Sequence, residues 1–131
     1  MSTLKTGKVK TTTIADELDT ESTAVTNVIN GSAKAWVNFN GTGTIAIRDS
    51  FSVSSLDDDG TGRYSYNISA AMSDANYNCM SNCCQSGIAT PDRCAASLPE
   101  NSSSVLIGSR NTSNSDVDTE QVHGGTHGDL A

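Results

Sequence analysis

The chain has 131 residues, a mass of 13.6 kDa and a formal charge of -7, which leaves room for one ordinary domain and excludes an enzyme with a separate cofactor domain. Leu, Ile, Val and Phe number only 23, close to the fraction below which charged chains tend to stay unfolded. A large private core is thereby excluded, and burial against copies of the chain or a host assembly is expected. The acidic balance, with a pI near 4.5, also excludes nucleic acid as a partner, because phosphate contacts need Lys and Arg clusters.

Residues 1–15 hold Lys5, Lys8 and Lys10 and no acid, so a short basic arm precedes an acidic body, and docking of these three lysines on an acidic neighbour is expected. A Thr-rich stretch follows where a signal peptide would have its apolar region, and no run of 18 apolar residues occurs. Synthesis in the cytoplasm without a membrane span follows from this reading, and the sequons at Asn30, Asn40, Asn67, Asn101 and Asn111 are then products of a composition rich in Asn, Ser and Thr. Residues 1–33 have no sustained period and read as an arm or linker, with one helical turn allowed between Asp16 and Ile29.

From Lys34 the texture changes. Ala35, Val37 and Phe39 alternate with Trp36, Asn38 and Asn40, the period of a strand, and Asn40-Gly41-Thr42-Gly43 supplies a hairpin turn. A second strand places Ile45, Ile47, Phe51 and Val53 on one apolar side, with Asp49 marking a bulge or an inward-pointing polar group that must find a partner. Burial of Ile47 and Phe51 is expected. After the acidic turn Leu56 to Gly62, Tyr64, Tyr66 and Ile68 form a third strand of a meander. Further strands are expected at Ala75 to Met80, Ser104 to Arg110 and Asp116 to Val122, with a long irregular stretch from Ser81 to Ser103 and an unpatterned Gly/His tail at 123–131. The fold class is all-β: a small antiparallel sandwich or jelly-roll-like domain of six to eight strands over 34–122, preceded by an extended arm.

Chemistry-bearing residues are few. Cys79, Cys83, Cys84 and Cys94 are spaced C-x3-C-C-x9-C, without the paired C-x2-C knuckles of structural zinc. That set allows free thiols in a reducing cytosol, zinc, or disulfides formed after release, in which Cys79 pairs with Cys83 or Cys84 and Cys94 with the remainder. Glycines flanking His123 and His127 oppose the helix on which they could chelate a metal, and an EF-hand begun at Asp57 would need Glu where Ile68 stands. The reading is therefore of no metal and no cofactor. No nucleophile elbow or phosphate loop occurs either, so no enzyme is expected. Trp36, Tyr64, Tyr66 and Tyr77 are the candidate contact residues, since aromatic groups give large contact area at low entropic cost, with sheet packing as their alternative role.

The block KAWVNFNGTGTIAIRDS from Lys34, continuing to Asp74-Ala-Asn-Tyr77, resembles a β-rich module recurrent in tail-fibre and other virion surface proteins of tailed, especially marine, bacteriophages. The start Met1-Ser-Thr-Leu-Lys and the run Asn111 to Val122 are similar to other parts of that group, and together the matches span roughly half the chain. The resemblance implies a virion surface module, a homotrimer with no catalytic residues. It also implies a closing hydrophobic strand, whose place is taken here by Val122 to Gly128. The expected role is that of a non-enzymatic structural protein of tail-fibre or appendage type, contacting other virion proteins and a host-surface receptor. A capsid decoration protein clamped through its arm is the alternative, and a soluble lectin-like module is a third.

Overall fold

The computed structural model describes residues 11–15, 22–85 and 92–131, and the chain divides into two units, Met1–Ser32 and Ala33–Ala131. In the first, strands β1 (Thr13–Ala15) and β2 (Ser22–Ala24) pair antiparallel, and helix α1 (Val25–Gly31) follows. The helix overlaps the Asp16–Ile29 stretch in which one helical turn was expected, runs two residues past it and buries none of its residues. Ile14, Val28 and Ile29 are all about half exposed. Lys5, Lys8 and Lys10 fall outside the described residues.

The second unit is a sandwich of eight strands: β3 (Ala33–Asn40), β4 (Ala46–Phe51), β5 (Val53–Gly60), β6 (Arg63–Ile68), β7 (Asn78–Cys84), β8 (Arg93–Asn101), β9 (Ser104–Asn111) and β10 (Gln121–His127). One antiparallel sheet has the order β4-β3-β10-β7 and the other β5-β6-β9-β8. The four central strands β3, β10, β6 and β9 have neighbours on both sides, and they supply most of the core: Ala35, Val37, Phe39, Val122, Tyr64, Tyr66, Ile68, Val105 and Ile107. Alternation of apolar and polar residues thus does what it does in any antiparallel sandwich, with one face of each strand dry.

Four expectations need correction. The three-stranded meander does not form, because the chain turns a corner at Ser52, whose φ of 56° breaks the strand. β4 stays in the first sheet while β5 crosses to the second, and Ser69 N–H donates to Ser52 O at 2.9 Å. Ile47 and Phe51 are not buried together but are 40% and 55% exposed. The physical reason is a bulge: Asn38 pairs with Asp49 and Phe39 with Ile47, so Arg48 is an extra residue that reverses the phase of β4. Ile47 keeps the core-side phase at a sheet edge, whereas Phe51, opposite Trp36, faces outward.

The third correction concerns the C-terminal segment. Residues 123–127 are not a flexible tail. They belong to β10, which lies between β3 and β7 at the centre of the first sheet. Val122, Gly124 and Thr126 face the core, and a Cβ on Gly124 would come within 2.8 Å of the Tyr66 ring and 3.0 Å of Ile107. Side chains of the opposite sheet fill the space that this strand leaves empty. The chain end is held as well, with Ser73 N–H donating to Asp129 O at 2.8 Å and Ala131 N–H to Ala71 O at 2.9 Å. The fourth concerns the stretch from Ser81 to Ser103, expected to be irregular: most of its described residues belong to strands β7 and β8, and Pro99 sits on the edge strand β8, where its missing N–H costs nothing.

Candidate functional site

The strand register brings one row of apolar side chains across the outer face of the first sheet. Since Ala35, Val37 and Phe39 point inward, Trp36 points outward, and it is paired on one side with Phe51 and on the other with Gly125, which is paired in turn with Met80. The row Phe51, Trp36, Gly125, Met80 therefore crosses all four strands. Trp36 is 38% exposed, Phe51 55% and Met80 52%. A Cβ on Gly125 would meet nothing nearer than Ala35 O at 4.0 Å, so the sheet surface is open at that point of the row.

Two residues along each strand lies a polar row formed by Asp49, Asn38, His123 and Asn82. Its members offer carboxylate, amide and imidazole groups at the side of the apolar row. Asn38 Oδ1 is buried and, among the described residues, has no hydrogen-bond partner. Arg48 is turned toward the backbone, with Nη1 donating to Phe39 O at 3.1 Å and Nη2 3.9 Å from Glu120.

Of the four aromatic candidates, only Trp36 is on this face. Tyr64, Tyr66 and Tyr77 are in the core, 1%, 0% and 8% exposed, because the β6 residues of that parity face the opposite sheet and Tyr77 enters from the loop before β7. Tyr64 packs edge-on against Phe39 with ring centroids 5.1 Å apart. Its hydroxyl donates to Gly41 O at 2.8 Å and accepts from Thr119 N–H at 3.3 Å. Tyr77 donates to Ser104 O at 2.9 Å. Burial pushes the phenols of Tyr64 and Tyr77 up to about 12 and that of Tyr66 further still. Phe51 and Met80 were missed in the sequence. The parity of Phe51 was concealed by the bulge, and Met80 closed an expected strand without a register to place it.

The cysteines carry free thiols. Cys83 is buried and accepts a hydrogen bond from Ser109 Oγ at 3.6 Å, Cys84 lies on the outer face beside Gln121, and Cys94 is exposed on β8. Burial pushes the Cys83 thiol up, partly offset by Ser109. Among the described residues no three His, Cys, Asp or Glu side chains gather as a metal site. His123 and His127 share the outer parity of β10, on a strand rather than a tail.

A concavity of about 490 Å³ lies along β6, β8 and β9, with Ala96, Leu98, Leu106 and Gly108 among its lining residues. At one end Arg63 and Arg110 share the carboxylate of Asp116, at 3.3 and 2.8 Å. Those bonds, Arg110 first, hold the Asp116 carboxyl below its ordinary range. No helix among the described residues is long and apolar enough to cross a membrane. Comparison with family models, curated proteins and solved structures finds no match to this chain.

Proposed function

We propose that the protein is a non-enzymatic structural component of a tailed-phage particle, of tail-fibre or appendage type, in which residues 1–32 attach and the sandwich is displayed. The observation that carries this reading is the contrast between the two units. Residues 33–131 have a closed core, whereas α1 buries nothing and Ile14, Val28 and Ile29 stand exposed. A seven-residue helix and a pair of three-residue strands are too short to persist without packing, so this unit acquires its stability from a surface it binds. The similarity of the Lys34 to Ser50 block to virion modules supplies the setting, and homotrimerisation is part of the proposal.

Purified particles provide the test. The full chain is expected in the particles at low copy number, and a chain lacking residues 1–32 is expected to fold but be missing from them. Tens to hundreds of copies per particle would favour capsid decoration, with the same unit acting as a clamp. Undiminished incorporation of the shortened chain would overturn the attachment role. Native mass measurement should give a multiple of three.

A further inference from the structure

We infer that Asn30 is a site of self-modification, at which the Gly31 backbone nitrogen displaces the side-chain amide through a cyclic imide and leaves aspartate or isoaspartate. Of the eleven asparagines only Asn30 and Asn40 precede glycine, the residue that leaves the attacking nitrogen unshielded because it has no Cβ. The structure treats these two pairs differently.

Asn40-Gly41 is locked. Asn40 Nδ2 donates to Thr42 O at 2.7 Å, and its Oδ1 accepts from Thr42 Oγ1 at 2.9 Å. Gly41 N–H donates to Thr119 O at 3.0 Å, so the nucleophile is engaged. A Cβ on Gly41 would come within 2.6 Å of the Tyr64 hydroxyl. Packing therefore demands this glycine.

Asn30-Gly31 closes α1, and both residues are exposed. A Cβ on Gly31 would meet nothing within 4 Å, and its φ is not in the left-handed region. Neither space nor backbone calls for glycine there, where it weakens the helix. Helical backbone holds the Asn30 amide away from the Gly31 nitrogen, so the reaction proceeds from an opened last turn. That turn is closed by Ser32 N–H on Val28 O at 3.1 Å and Ser32 Oγ on Ile29 O at 3.0 Å. A seven-residue helix that buries nothing opens at almost no cost, whereas freeing Gly41 requires the sandwich itself to open.

Water is the only co-reactant. The Gly31 nitrogen loses its proton to base and bonds to Asn30 Cγ, the bond from Cγ to the amide nitrogen breaks, and ammonia leaves. Water then opens the imide at either carbonyl. One carboxylate is gained beside the last carbonyls of α1, where the helix dipole opposes it, in the unit proposed above to attach. The reaction needs no particle and stands apart from the virion reading.

The full chain would be held for several days in mildly alkaline buffer and its tryptic peptides read by mass and fragmentation. Cleavage after Lys10, Lys34 and Arg48 puts Asn27 and Asn30 in one peptide and Asn38 and Asn40 in the next. A gain of one mass unit at Asn30 is expected, with both product isomers, at least about tenfold faster than at Asn40. Asn27, which precedes Val28 and donates from Nδ2 to Thr23 Oγ1 at 3.1 Å, should stay intact. In denaturing urea the rates at Asn30 and Asn40 should converge. Gly31→Val should slow the reaction at least about tenfold at unchanged melting temperature, and because Val is no strong helix former, a firmer helix would not account for the loss. Equal rates at the two pairs in buffer, a difference that persists in urea, an unslowed Gly31→Val, or aspartate with no isoaspartate would overturn the inference.

Discussion

Tyr64 and Tyr66 stand two residues apart on β6, point into the same core and differ in what their hydroxyls meet. That of Tyr64 is bonded to Gly41 O and Thr119 N–H, whereas that of Tyr66 is buried with no partner among the described residues. Tyr64→Phe should therefore cost about 1–3 kcal/mol, because buried backbone groups lose their partner. Tyr66→Phe removes an unpaired polar atom from an apolar site and should be neutral or stabilising by up to about 1 kcal/mol. Urea unfolding of the two variants checks the pair, and equal losses would show that the hydroxyls are not distinguished by these bonds. A similar contrast separates adjacent glycines. Gly124→Ala should destabilise by about 1–3 kcal/mol through overpacking, since the Tyr66 ring has no room to retreat, while Gly125→Ala meets open space.

At the scale of the strand, β3, β6 and β9 were legible because each combines period-two alternation with an apolar inner row. The hairpin turn after Asn40 was legible too, and it is stabilised as its chemistry suggests, with Asn40 Nδ2 donating to Thr42 O at 2.7 Å. β10 was not legible. Its inner residues are Val122, Gly124 and Thr126, and their burial depends on bulk carried by Tyr66 and Ile107 in the other sheet, which local composition does not reveal. The candidate face was half legible: Trp36 could be named, but its neighbours depended on a one-residue bulge and on the pairing of β10. Two expectations follow. Phe51→Ala should change stability by less than about 1 kcal/mol, against about 3–5 kcal/mol for Phe39→Ala, because Phe51 is 55% exposed and Phe39 fully buried. Thermal melts of the two would reverse this order if Phe51 were a core residue.

For the whole molecule, the buried phenols set an alkaline limit. Tyr64 and Tyr77 ionise near 12 when folded and Tyr66 higher, against 10.0 for an ordinary phenol. A raised folded pKa means that the unfolded chain releases these protons first. Their contribution is therefore complete below about pH 10, declines between about pH 10 and 12, and is gone above the folded values. Urea midpoints measured from pH 8 to 11.5 should be flat and then fall. A midpoint that holds through pH 11.5 would contradict the burial of these rings. The composition suggested a chain too poor in apolar residues to close a core alone. The structure gathers most of the buried ones on four central strands of one unit and leaves the N-terminal unit without buried helix residues.

The pairing of β3 with β10 also sets a schedule for biosynthesis. The first strand of the sandwich lacks one of its two ladder neighbours until the chain has been made through His127, several seconds later at about 5–20 residues per second. Until then the nascent chain carries Phe39 and Val37 beside an unfilled strand position, a template for pairing with another polypeptide. Holding by a chaperone during translation, or crowding of ribosomes on one message, should accordingly govern the yield of soluble protein more than does the stability of the finished fold.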